Sequence, residues 1–186
     1  LVYVSPTGEK EIYPRSMVKL PGTHNLENVM AAVMAARSCG CTPAEIAAAV
    51  ASFAGFPHRI EYAGQWRGVS FYDDSKGTNV DSSIQAVRAM RAPTVIILGG
   101  YDKHTDFTPL CKEMISSGWI RHAVLIGDTA AQIDRQLREN GFDSIEHAGY
   151  DFPAAIRAAF AAAEEGGNVL LSPSCASFDM FDDYEA

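Results

Sequence analysis

The chain has 186 residues, 47% of them hydrophobic, with a formal net charge of −8 and a pI near 5.0. That balance suits a soluble globular protein of one full domain plus part of a second, and argues against nucleic acid or an anionic membrane as the main partner. No apolar run approaches the roughly 18 residues of a membrane span, and Leu1-Val2-Tyr3-Val4 carries no signal-peptide pattern, so a cytoplasmic protein without membrane insertion is expected.

The first residues predict a β-hairpin, residues 1–4 and 11–13 flanking the turn-forming Ser5-Pro6-Thr7-Gly8. From residue 24 to 37, Leu26, Val29, Met30, Val33 and Met34 fall on one helical face. Thr42-Pro43-Ala44-Glu45 has the pattern of a capping box and opens a second helix reaching about Phe53. Gly55-Phe56-Pro57 then breaks the chain, and a domain boundary is expected there, giving domains 1–57 and 58–186. Beyond it, strands at 60–64 and 69–72 lead into a helix over 81–90. Strand 94–98, helix 107–116 and strand 122–126 follow, and Asp128 is expected to cap the next helix, which carries Ile133 and Leu137 and stops near Gly141. A short strand at 144–146, an alanine-rich helix with Ile156 and Phe160, and strand 168–171 complete the pattern. Such alternation predicts an α/β fold, Rossmann-like, with a mostly parallel sheet and helices on both faces. The start lacks Met and the last residues have helical composition, so the chain reads as a fragment. The four cysteines, Cys39, Cys41, Cys111 and Cys175, show no C-x-x-C spacing and read as reduced thiols, mostly buried.

Ligands of open α/β sheets collect beyond the carboxyl ends of the strands. Three loops qualify: Asp73-Asp74-Ser75-Lys76-Gly77-Thr78-Asn79, Gly99-Gly100-Tyr101-Asp102-Lys103-His104-Thr105-Asp106, and Ser172-Pro173-Ser174-Cys175-Ala176-Ser177. Together they offer two lysines, several hydroxyls and glycine turns, a chemistry suited to phosphate or carboxylate. The chain contains no G-x-x-x-x-G-K-[ST], H-E-x-x-H, G-x-S-x-G or G-x-G-x-x-G motif. A phosphate loop for ATP would have to lie on another segment.

Gly22-Thr23-His24-Asn25-Leu26-Glu27-Asn28 resembles the G-x-H-N-x-x-N segment that ends the central ATPase domain of the Mur ligase family, and Phe56-Pro57-His58-Arg59 its P-H-R junction. Asp74-Ser75-Lys76-Gly77-Thr78-Asn79 is similar to the D-S-K-A-T-N motif of the D-glutamate-adding members. Leu98-Gly99-Gly100 with Lys103 and Asp106-Phe107, and Leu171-Ser172-Pro173-Ser174-Cys175-Ala176-Ser177 with Asp179 and Phe181, complete the likeness. It departs at Gly77, where Ala is usual, and at His104, where Gly is usual.

The resemblance implies ATP-dependent amide formation in peptidoglycan synthesis, with UDP-N-acetylmuramoyl-L-alanine, D-glutamate and ATP as substrates. Magnesium is implied as cofactor, with most of its ligands in a missing segment and none among these residues, and the complete protein is expected to be monomeric. Asn25, Asn28, Arg59 and Asp74 would surround ATP. Lys76 and His58 would be catalytic. Thr78, Lys103, Ser177, the Phe178 backbone and Tyr184 would surround D-glutamate. Plainer roles stand beside these: Asn25 and Asn28 as helix-start caps, Arg59 paired with Glu61, solvated lysines, Ser177 as a helix cap, Cys175 as packing and Tyr184 as a core aromatic. A non-catalytic nucleotide- or anion-binding α/β module and a thiol enzyme built on Cys175 are the rival functions.

Overall fold

The strand registers of the computed structural model, which describes residues 1–20, 22–101 and 103–182, follow from period-two alternation. In β5 (Thr94–Gly99), Val95 and Ile97 join one apolar cluster, and Ile96 and Leu98 join another. In β6 (Ile120–Ile126), Ala123 and Leu125 part from Val124 and Ile126 in the same way. Both faces of these strands are apolar because helices cover both, as a parallel sheet requires.

The sheet has six strands in the order β3-β4-β8-β5-β6-β7, with β3 (Glu61–Trp66), β4 (Val69–Asp73), β7 (Ile145–Gly149) and β8 (Asn168–Leu171) completing it. β3 is antiparallel to β4, and every other pairing is parallel. Helices α3 (Val80–Ala89), α4 (Thr108–Ser117) and α5 (Ala130–Glu139) bury Ala86, Val87, Leu110, Met114, Ile133 and Leu137 on one face. Helix α6 (Phe152–Ala162) covers the other with Ala155 and Ala159. The last strand, β8, is inserted between β4 and β5, so the loops leaving β4, β8 and β5 lie side by side on one edge.

These elements form one of two compact units, which begins at Pro57. The other, Leu1–Phe56, has a two-stranded hairpin of β1 (Val2–Val4) and β2 (Lys10–Ile12) and helices α1 (His24–Ser38) and α2 (Pro43–Ser52). Its core is Tyr13, Val18, Val29, Val33 and Ile46. Thr42 and Glu45 form the expected capping box: the Glu45 amide donates to Thr42 Oγ1, and the Thr42 amide donates to Glu45 Oε2 at 2.8 Å. The apolar stripe of α1 is narrower than its sequence suggests. Val29 and Val33 are buried, whereas Met30 and Met34, one position round the helix, are exposed.

Asp128 does not cap α5. Thr129 is the residue before that helix, without a side-chain cap bond, while Asp128 accepts from the Tyr150 hydroxyl at 2.6 Å and donates its amide to Asp179. Helix α3 starts one residue earlier than the expected 81, because Asn79 caps it by accepting from the Ser82 amide at 2.9 Å. Among the described residues no helix is long and apolar enough to cross a membrane.

Candidate active site

Three strand ends meet because two glycines let backbones touch. Gly99 ends β5 with φ 118°, and a Cβ there would collide with the Ile126 carbonyl at the end of β6. Gly100 has φ 145°, and a Cβ would meet the Ala176 carbonyl. The β5 end is thereby stitched to the loop after β8: the Gly99 amide donates to Pro173 O at 2.9 Å and the Tyr101 amide to Ala176 O at 2.8 Å. On the other side, the Ser174 amide donates to Gly77 O at 2.8 Å, tying that loop to the one after β4.

Beneath this rim lies a buried polar chain. Asp74 is 3% exposed. Its carboxylate accepts from the Ile60 amide at 3.2 Å and the Ser172 hydroxyl at 2.7 Å, and Ser172 in turn lies 2.9 Å from Ser83 Oγ. Burial pushes the Asp74 carboxyl up to about 6, against the pull of Ser172, the Ile60 amide and the Arg59 charge. Gly77 is confined by the same carboxyl, since a Cβ there would meet Asp74 Oδ2.

The junction at residues 58–60 is strained. His58 and Ile60 take left-handed φ values of 63° and 49°, unusual for residues with side chains. Bonds on either side hold it: the His58 amide donates to Glu61 at 2.8 Å, and the Lys76 amide donates to His58 O at 3.1 Å. The His58 ring meets Asp73 at 2.7 Å. Burial alone would raise the Asp73 carboxyl, but the His58 ring and the amide and hydroxyl of Ser75 outweigh it and hold it below its ordinary range.

A cavity of about 250 Å³ opens at this rim, with His58, Asp73, Ser75, Thr78, Ser177 and Asp179 on its polar side and Phe152, Met180 and Phe181 on its apolar side. It gathers three of the residues singled out by sequence, His58, Thr78 and Ser177. Asp73, Ser75 and Asp179 were not assigned roles there, although all three stood within the quoted segments. Arg59, Lys103 and Phe178 are exposed and Lys76 is half-buried. His104 has φ 56°, a left-handed conformation that suits the glycine usual at that position. Ser177 opens no helix among the described residues; its carbonyl accepts from the Met180 and Phe181 amides in a turn. Tyr184 lies outside the described residues. In the other unit, Asn25 and Asn28 are inside α1 rather than capping it, joined by a bond of 3.3 Å from Asn28 Nδ2 to Asn25 Oδ1. Cys175 is buried, with its sulfur 3.4 Å from Thr129 Oγ1, a packing environment.

Residues 58–175 match the family described as Mur ligase, glutamate ligase domain. The chain belongs to the Mur ligase family. It is 41% identical over its full length to UDP-N-acetylmuramoylalanine--D-glutamate ligase of Syntrophus aciditrophicus, and 42% identical over 99% of its length to the protein of that name from Thermoanaerobacter sp. strain X514. It spans about 40% of the length of each of these relatives. UDP-N-acetylmuramate-alanine ligase of Thermotoga maritima has a similar fold, with a TM-score of 0.68 over 84% of this chain and 36% of that one at 18% identity. A Mycobacterium tuberculosis folylpolyglutamate synthase, solved with ADP and AMPPCP, gives 0.64 over 85% and 39% at 15% identity. Both likenesses bear on the fold. The matched residues contain the rim loops after β4 and β5 and most of the loop after β8, while Ser177, Asp179, Met180 and Phe181 of the cavity lie just beyond them.

Proposed function

We propose that the chain is the carboxy-terminal part of an ATP-dependent ligase that adds D-glutamate to UDP-N-acetylmuramoyl-L-alanine in peptidoglycan synthesis. The observation that carries this reading is identity of about 41% along the entire chain to relatives bearing that name, across the segments that build the rim. Residues 1–57 would belong to a central ATP-binding domain and residues 58–186 to the amino-acid-binding domain. The alternative, a non-catalytic anion-binding module, is disfavoured by the same full-length match to ligases.

In the proposed reaction the alanine carboxylate attacks the γ-phosphate of ATP, releasing ADP and forming an acyl phosphate. The D-glutamate amine attacks that carbonyl, loses a proton, and inorganic phosphate leaves with its bonding electron pair. Such chemistry depends on positioning and on positive charge near anions. Arg59, Asn25 and Asn28 would contact the nucleotide, and Lys76 would steady the developing phosphate charge beside His58. Asp74 acts from below, its oxygens fixing the Ile60 amide and the Ser172 hydroxyl behind the nucleotide side of the rim. Thr78, Lys103, Ser177 and the Phe178 backbone would hold the D-glutamate carboxylates, with Tyr184 beside them. Among the described residues, one cluster is a poor seat for magnesium. His58, Glu61 and Asp73 bring ligand atoms within 4.8 Å of one another, but they mix imidazole with carboxylates that already accept from the His58 amide and ring, whereas magnesium prefers an octahedron of oxygens.

The test uses the complete protein. A charge-assisted hydrogen bond in a partly desolvated site contributes about 1.5–3 kcal/mol. Lys103→Ala should therefore raise the KM for D-glutamate by roughly one to two orders of magnitude, with the KM values for ATP and the UDP-linked substrate changed far less. An unchanged KM in Lys103→Ala together with a loss in His104→Ala would move the role one residue along. No change in either variant would remove this loop from the amino-acid site. The 186-residue chain alone should not turn over, since its sequence contains no G-x-x-x-x-G-K-[ST] motif.

A further inference from the structure

Asp73 precedes the D-S-K segment and has no part in the roles proposed above. Its carboxylate nevertheless makes two directed bonds on the cavity wall. Asp73 Oδ1 accepts from the Ser75 amide at 2.8 Å, and Asp73 Oδ2 lies 2.7 Å from His58 Nδ1. An ionised carboxylate is an acceptor only, so the hydrogen between the ring and Asp73 must sit on Nδ1. The backbone on either side of the ring is pinned by Glu61 and by the Lys76 amide, so the imidazole is fixed at its Cα as well as at Nδ1.

We propose that Asp73 is a positioning residue that holds His58 with its hydrogen on Nδ1, so that the ring meets a ligand in the cavity through Nε2. A ring of this kind presents Nε2 as an acceptor when neutral and as an N–H donor when protonated, and the second nitrogen is set by the bond the first one makes. The left-handed backbone at His58 is part of the same arrangement, because it turns the residue back toward the end of β4, where Asp73 lies. The kinetic consequence of this inference rests on the ligase reading; the tautomer itself does not.

Two substitutions separate the possibilities. In Asp73→Asn the Ser75 amide still demands an oxygen acceptor, so the side-chain NH₂ turns to His58 and donates to Nδ1, which moves the neutral ring's hydrogen to Nε2. Asp73→Ala removes the acceptor at Nδ1 and with it the bond that favours a hydrogen there. Long-range ¹H–¹⁵N correlation spectra of the 186-residue chain should show His58 Nδ1 protonated in the unsubstituted protein, Nε2 protonated in Asp73→Asn, and a weakened preference for Nδ1 in Asp73→Ala. In the complete protein, Asp73→Ala should raise the KM for ATP or lower kcat by about tenfold, the equivalent of one hydrogen bond of about 1.4 kcal/mol, with the KM for D-glutamate within about twofold of its original value. Identical His58 spectra in all three proteins would overturn the assignment, as would an equal loss for ATP and D-glutamate accompanied by a lowered melting temperature. If the unsubstituted complete protein makes no amide, the ligase reading fails while the spectra still decide the role of Asp73.

Discussion

Replacing Asp74 by Asn should stabilise the strand-end unit at neutral pH. Asp74 is almost wholly buried, and burial raises its carboxyl from 3.8 to about 6. Between those values the folded state holds the proton more tightly than the unfolded chain, so this group's stability is full at low pH, falls as pH rises, and is lost above about 6. At about 1.36 kcal/mol per pH unit, the ionised carboxylate costs the fold about 3 kcal/mol at pH 7.5. At pH 4.5 the cost is about 1 kcal/mol by the same linkage. Asn has the same shape and no charge: its oxygen can accept from the Ile60 amide, and its NH₂ can donate to Ser172 Oγ, whose hydrogen then turns from residue 74 to Ser83 Oγ. The gain of Asp74→Asn over the original protein should therefore be about 2 kcal/mol larger at pH 7.5 than at pH 4.5. Urea unfolding followed by tryptophan fluorescence reads this unit selectively, because both tryptophans, Trp66 and Trp119, lie in it. A loss of stability in Asp74→Asn that is the same at both pH values would refute the reasoning, since the residue would then be valued as a hydrogen-bond acceptor rather than burdened as a buried charge.

Thiol titration should distinguish the cysteines: burial pushes Cys111 up to about 12, so it should react with a disulfide reagent only on unfolding, whereas exposed Cys39 reacts in the native chain. Reaction of all four thiols at one rate would contradict that burial. Gly99→Ala should prevent or severely weaken folding of the second unit, because its Cβ would collide with the Ile126 carbonyl and its φ of 118° is hostile to side chains. A melting temperature within a few degrees of the original would mean that the β5 and β6 ends can part.

Much of the fold was legible because its strands and helices announce themselves by period. The apolar run at 94–98 falls on β5, and Thr42-Pro43-Ala44-Glu45 predicted a helix start down to the side-chain bonds. The misreadings have a common physical source. Asp128 and Ser177 have side chains that favour helix caps, but Asp128 is engaged by Tyr150 and Asp179 from distant parts of the chain, and the Ser177 carbonyl closes a turn instead. Local propensity cannot register such partners. The site followed the same rule. Strand-end loops identified the rim, and His58, Thr78 and Ser177 do line its cavity, but the link from His58 to Asp73 joins residues 15 apart across the β3–β4 hairpin. No single-residue preference in either segment signals that pairing.

The most direct test of the proposed function is amide formation by the complete protein, supplied with ATP, magnesium and UDP-N-acetylmuramoyl-L-alanine, with D-glutamate and L-glutamate offered separately. The account predicts sustained release of ADP and an amide product in equal amounts with D-glutamate, and no turnover with L-glutamate. Equal use of the two enantiomers, or repeated ADP release without amide, would contradict it.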